Sequence, residues 1–204
     1  MTDRRFSLLL VNALTLSRVP LVLLFVIGAV VDSFSPAPTW RAAAAFISLV
    51  LSALTDLFDG VLARRLNVST RFGALADPLT DKVFYLASLP TLLFLIARHD
   101  GWHTHSVVML TFAILFLLRD QWVSFLRSIG SEYGADVRAN WSGKLRTAIG
   151  FPVICGVYLF VVYQPFWLPL WFIYTAEAIV IGLNTISIYI YSRQYMPYLR
   201  QSLK

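Results

Sequence analysis

Four aspartates, Asp56, Asp59, Asp77 and Asp81, lie in the segment TDLFDGVLARRLNVSTRFGALADPLTDKV. Asp56 and Asp59 are three residues apart and Asp77 and Asp81 four apart, so on helices each pair projects from one face. The turn between the two pairs is short enough to make their helices antiparallel neighbours, and the two faces can converge. Four carboxylates drawn together repel one another unless some are protonated or cations sit among them. All-oxygen ligands favour hard divalent ions, and four aspartates suffice for two Mg²⁺ or Mn²⁺ in the arrangement used for displacement at phosphorus. Gly60 and Gly73 fit the same picture, since a position without a side chain lets a ligand or neighbouring backbone approach. The plainer reading makes the acids helix caps or salt-bridge partners of Arg64, Arg65, Arg71 and Lys82. It explains one acid at a helix end more readily than four on two adjoining faces.

The elements that position these acids are apolar. Of 204 residues, 58% are hydrophobic and 14% charged, and the mean hydropathy is +0.69, outside the soluble range. The expected fold is all-α, a polytopic membrane protein with six transmembrane helices at about 12–31, 39–64, 72–97, 104–130, 144–163 and 166–192. A short interfacial lead-in over 1–11 precedes them, and residues 1–204 form a single membrane domain with no soluble module, repeat or linker. With six spans the termini share a side, and the basic residues divide 15 to 2 in favour of that side, only Arg41 and Arg98 falling on the other. By the positive-inside rule both termini are cytoplasmic, and the aspartates stand at the cytoplasmic end of helices 2 and 3. The same bias explains the net charge of +6, so no nucleic-acid partner is expected. The single cysteine, Cys155, permits no intrachain disulfide and reads as a small buried apolar residue.

At this point the residues resemble a known family. Asp56-x-x-Asp59-Gly60-x-x-Ala63-Arg64, eight residues, then Gly73-x-x-x-Asp77-x-x-x-Asp81 is similar at every fixed position to the signature of the CDP-alcohol phosphotransferases, and the six-helix length agrees over the whole chain. The resemblance implies that Asp56, Asp59, Asp77 and Asp81 bind two metal ions, with Asp81 also the general base, and that Gly60, Ala63, Arg64 and Gly73 line a CDP site. It also implies a homodimer. The chemistry is coherent: a hydroxyl is a poor nucleophile at neutral pH, so a carboxylate must take its proton as it attacks phosphorus, and CMP departs. Arg64, one turn beyond Gly60, can add a guanidinium to the donor's phosphates.

Other residues address the acceptor. Asn12, Thr15 and Arg18 recur every three residues on helix 1, where ALTLSR resembles the family's NxLTxxR opening. Arg119 and Arg127 on helix 4 are eight apart, and Lys144 and Arg146 open helix 5 in SGKLRT. With Arg138, these bases suit an anionic acceptor such as a small phosphorylated alcohol. The competing explanations are snorkelling by Arg18 and head-group anchoring by the others. Within the family, GKLRT and RDQWVSFLR are similar to the GKxKT and RExxxxxLR elements of phosphatidylglycerophosphate synthases, with Asp120 in place of the usual Glu and Arg146 in place of Lys. Cardiolipin synthases of the same fold share part of this pattern, so the alternative acceptors for the same chemistry are phosphatidylglycerol, as in those enzymes, and an inositol phosphate, as in phosphatidylinositol-phosphate synthases.

The implied activity is transfer of a phosphatidyl group from CDP-diacylglycerol to sn-glycerol 3-phosphate among membrane lipids, at the cytoplasmic face of a bacterial inner membrane. A divalent-cation transporter is the alternative from another class, because intramembrane acids also mark ion paths. The acids cluster at one end, and AAAAFISLVLSAL and VFYLASLPTLLFLI offer an ion little beyond them. His99, His103 and His105 have metal-like spacing but fall in the far-side loop. Trp102, Trp122, Trp141, Trp167 and Trp171 read as interfacial anchors, and Glu177 as a buried polar contact.

Overall fold

The computed structural model describes the backbone of residues 2–65, 71–135 and 141–203 and the side chains of 12–55, 58, 79–80, 82–135 and 141–203. Among them are six helices and no strand: α1 (Thr2–Asp32), α2 (Trp40–Arg65), α3 (Arg71–Ala97), α4 (His103–Glu132), α5 (Trp141–Tyr163) and α6 (Leu170–Ser202). Each matches an expected helix, with two differences of extent. The lead-in is not separate from the first span; α1 is one helix of 31 residues that runs through Pro20. The last helix starts at 170 rather than 166, with Pro169 as its extended N-cap residue (φ −75°, ψ 152°), and continues through Pro197 to Ser202. Pro169 lacks the N–H that a helix running in from 166 would need from it.

Asn12–Asp32, His103–Glu132, Trp141–Tyr163 and Leu170–Ser202 are long and apolar enough to cross a membrane, while Trp40–Thr55 and Lys82–Ala97 are shorter apolar stretches. The rest of α2 and the start of α3 hold many of the undescribed side chains. Exposed large apolar residues cover the helices, among them Leu23, Leu24 and Ile27 of α1, Leu110, Ile114 and Leu118 of α4, and Trp171 and Ile179 of α6. Water would tolerate such a surface poorly, and lipid accepts it.

The chain forms two compact units, the first comprising residues 1–99 and 157–164 and the second 100–156 and 165–204. In the first, α1 packs against both α2 and α3. The approach to α2 is close because Gly28 lacks a side chain: a Cβ there would lie 3.2 Å from the Ala45 Cβ and 3.3 Å from the Arg41 carbonyl oxygen. Small residues let helices gain van der Waals contact where lipid supplies no hydrophobic drive, and Ala29, Ala42 and Ala45 continue that seam, all buried. Phe25 meets the Tyr158 ring edge-on at 5.3 Å, Phe46 stacks on it at 6.1 Å, and the Tyr158 hydroxyl donates to the Ala42 carbonyl at 3.1 Å.

In the second unit α4 packs along α6. Met109, Phe112, Phe116, Val123 and Leu126 of α4 and Ile173, Val180, Tyr191 and Tyr195 of α6 are all buried. The Gly130 position faces the Tyr195 ring closely enough to admit no Cβ. α4 stops at Glu132, and just past its C-cap Tyr133 comes Gly134, whose φ of 72° suits glycine, as the Gly134 and Ala135 amides fold back onto the carbonyls of Ser131 and Gly130.

Candidate active site

The acidic signature falls on two continuous helices, Asp56, Asp59, Gly60, Ala63 and Arg64 on α2 and Gly73, Asp77 and Asp81 on α3. Helical backbone through both stretches gives the three- and four-residue spacings their shared faces. These eight side chains lie outside the described residues. Around them the described part of the first unit is firmly built. Arg18 is fully buried and donates from Nη1 to the Thr80 hydroxyl at 3.2 Å, tying α1 to the residue before Asp81. The Ser52 hydroxyl donates to the Arg18 carbonyl at 3.4 Å, adding α2 to the same junction. A guanidinium at zero exposure is not snorkelling to a head-group surface.

The bases assigned to the acceptor divide in the second unit. Arg119 and Arg146 come together at one carboxylate: the Asp120 Oδ1 accepts from Arg119 Nη1 at 3.1 Å and from Arg146 Nη2 at 2.8 Å. Both arginines are about 5% exposed. Arg119 is also held from α6, where the Ser187 hydroxyl oxygen accepts from its Nε at 3.0 Å and its Nη2 at 2.8 Å. Its guanidinium lies over the Tyr191 ring at 5.2 Å, and that of Arg146 over the Phe116 ring at 4.1 Å. Gly143 in the first turn of α5 makes room for this packing, because a Cβ there would meet the Tyr191 hydroxyl at 3.1 Å and Arg119 Nη2 at 3.2 Å. Ser142 beside it is buried, its hydroxyl without a hydrogen-bond partner among the described residues. Lys144 is exposed and Arg127, two turns further along α4, is half-buried. Sequence reasoning missed Ser187 and Tyr191; with Asn184 they recur at three- and four-residue spacing along one face of α6, which was the available signal.

Glu177 is a buried polar contact, as expected: its Oε1 lies 3.0 Å from His105 Nε2, with both side chains at 1% exposure or less. Among the described residues no group of three His, Cys, Asp or Glu side chains converges. Trp141, Trp167 and Trp171 are exposed, and Trp122 is half-buried, its indole N–H donating to the Ser192 hydroxyl at 2.8 Å.

A family model for CDP-alcohol phosphatidyltransferases matches residues 8–188. The chain belongs to that family. It is 38% identical over 136 residues to the CDP-diacylglycerol–glycerol-3-phosphate 3-phosphatidyltransferase of Escherichia coli strain K12, covering 66% of this chain and 68% of that protein. The proteins of the same name from Shigella flexneri serotype 5b and Shigella sonnei match to the same extent. Family and relatives make the chain a membrane phosphatidyltransferase of phospholipid biosynthesis, and the transporter alternative falls.

Proposed function

We propose that this phosphatidyltransferase uses CDP-diacylglycerol as donor and sn-glycerol 3-phosphate as acceptor. The acceptor hydroxyl loses its proton to the Asp81 carboxylate and forms a bond to the phosphatidyl phosphorus; the pyrophosphate P–O bond breaks, and its electron pair leaves with CMP. Asp56, Asp59, Asp77 and Asp81 would hold two Mg²⁺ or Mn²⁺. The donor set fits, being four hard oxygen ligands paired on the faces of two continuous helices. Bound metal supplies charge neutralisation for the pyrophosphate and the leaving CMP. Gly60, Ala63 and Gly73 would line the CDP moiety, and Arg64 would add a guanidinium for its phosphates, as the family resemblance implies.

The observation that carries the acceptor assignment is the buried Arg119–Asp120–Arg146 cluster, two guanidiniums sharing one carboxylate oxygen. Two cations and one anion leave a net positive charge among apolar helices, which suits a phosphate-bearing alcohol better than a neutral one. Lys144 and Arg127 add charge nearby in sequence. The reading carries six spans, cytoplasmic termini, an active site at the cytoplasmic face, and a homodimer as the family resemblance implies. The test is CMP release by the purified protein with CDP-diacylglycerol, Mg²⁺ and a panel of alcohols. Glycerol 3-phosphate should be the best acceptor, and preference for an uncharged alcohol would overturn the assignment.

A further inference from the structure

We propose that Asp120 is a positioning residue, setting the spacing of the Arg119 and Arg146 guanidiniums so that together they receive the acceptor's phosphate. This rests on the acceptor reading above. Asp120 follows Arg119 directly on α4, and its side chain is 15% exposed, between two arginines at 6–7%. The two cations reach a single oxygen from different helices, Arg119 from α4 and Arg146 from α5. Without that oxygen two like charges held at this distance in an apolar setting repel and separate.

Arg119 is fixed at three of its five N–H donors by these contacts, one on Asp120 and two on the Ser187 hydroxyl. The ring of Tyr191 beneath it and the bare α carbon of Gly143 beside it complete the seat. A charged fork locked this way offers its remaining donors in one direction, which is what bidentate recognition of a phosphate requires. A negative charge among the residues that bind an anion is otherwise paradoxical. It weakens the field felt by the phosphate, and its presence makes sense if geometry gains more than charge loses.

The two roles predict opposite signs. If Asp120 merely balances charge, Asp120→Asn strengthens attraction for the acceptor and lowers its KM. If it positions the arginines, the same change raises that KM by about tenfold. The experiment is steady-state CMP release by purified full-length protein, varying glycerol 3-phosphate and CDP-diacylglycerol separately, for the wild type, Asp120→Asn, Asp120→Glu and Ser187→Ala. The expected result is a raised KM for glycerol 3-phosphate in the Asn variant, a KM for CDP-diacylglycerol within about twofold of wild type, and recovery of most of the loss in the Glu variant, which keeps the bridging carboxylate. Ser187→Ala frees Arg119 on its α6 side alone and should raise the same KM by roughly threefold; it carries the test if the Asn variant fails to fold. A fall or no change in the acceptor KM, or an equal rise in both constants, overturns the proposal. If the wild type rejects glycerol 3-phosphate and uses an uncharged alcohol, the acceptor reading fails first and this inference falls with it. If it uses glycerol 3-phosphate normally while the variants do not discriminate, only the positioning role fails.

Discussion

Arg18 and Thr80 join α1 to α3 through a buried 3.2 Å hydrogen bond, and the residue after Thr80 is Asp81. Thr80→Val keeps the shape and removes the hydroxyl that accepts from the guanidinium. It is expected to lower stability by about 1–2 kcal/mol and to reduce kcat more than either KM, since the helix carrying the proposed general base loses its tie. Thermal unfolding in detergent and separate determination of the three constants check this; unchanged kcat would dissociate the tie from catalysis.

Asp81→Asn should lower turnover by about 100-fold or more while donor binding survives better. A variant turning over normally at saturating Mg²⁺ removes the base from Asp81.

Asp56→Ala and Asp59→Ala should each weaken Mg²⁺ binding and, with it, donor binding, and chelator should reproduce both effects in the wild type. Calorimetric titration is the measurement, and wild-type affinity in both variants would take these residues out of the metal set.

Gly143→Ala places a methyl group about 3.2 Å from Arg119 Nη2 and 3.1 Å from the Tyr191 hydroxyl, so the guanidinium must shift. The acceptor KM should rise several-fold, about 1 kcal/mol of binding, with the donor KM preserved. Equal kinetics to wild type would show that Arg119 has slack at this point.

His105 and Glu177 are each other's partner in the buried part of the second unit. Replacing either alone should cost at least about 2 kcal/mol, and the double variant should cost less than the sum. Activity at a temperature where the single variants remain folded should be retained. Additive losses would mean that the contact carries no coupling.

The acidic signature and the helices that carry it were legible because both signals are local. Spacing places carboxylates on a helix face, and twenty apolar residues announce a span. Arg119, Arg146 and Glu177 were legible as charges in the wrong solvent. What Arg119 touches was not, because Ser187 lies 68 residues away and the pairing of α4 with α6 depends on packing across the fold. Asp120 looked like a conservative exchange for Glu, and its sharing by two arginines is a property of three dimensions. The Trp122 contact was hidden for the same reason, because Ser192, which accepts its N–H, lies 70 residues away.

α6 is 33 residues long, roughly 50 Å of helix, against a hydrocarbon slab of about 30 Å. The helix outruns the slab at its polar end, where Arg193, Gln194, Arg200 and Gln201 lie. Ser187, which grips Arg119, rides on this rod, while Arg193 and Arg200 nearer its end can anchor among lipid phosphates. If Arg119 receives the acceptor's phosphate as proposed, its guanidinium is seated from the longest helix among the described residues, and where that seat lies is set by how α6 packs along α4.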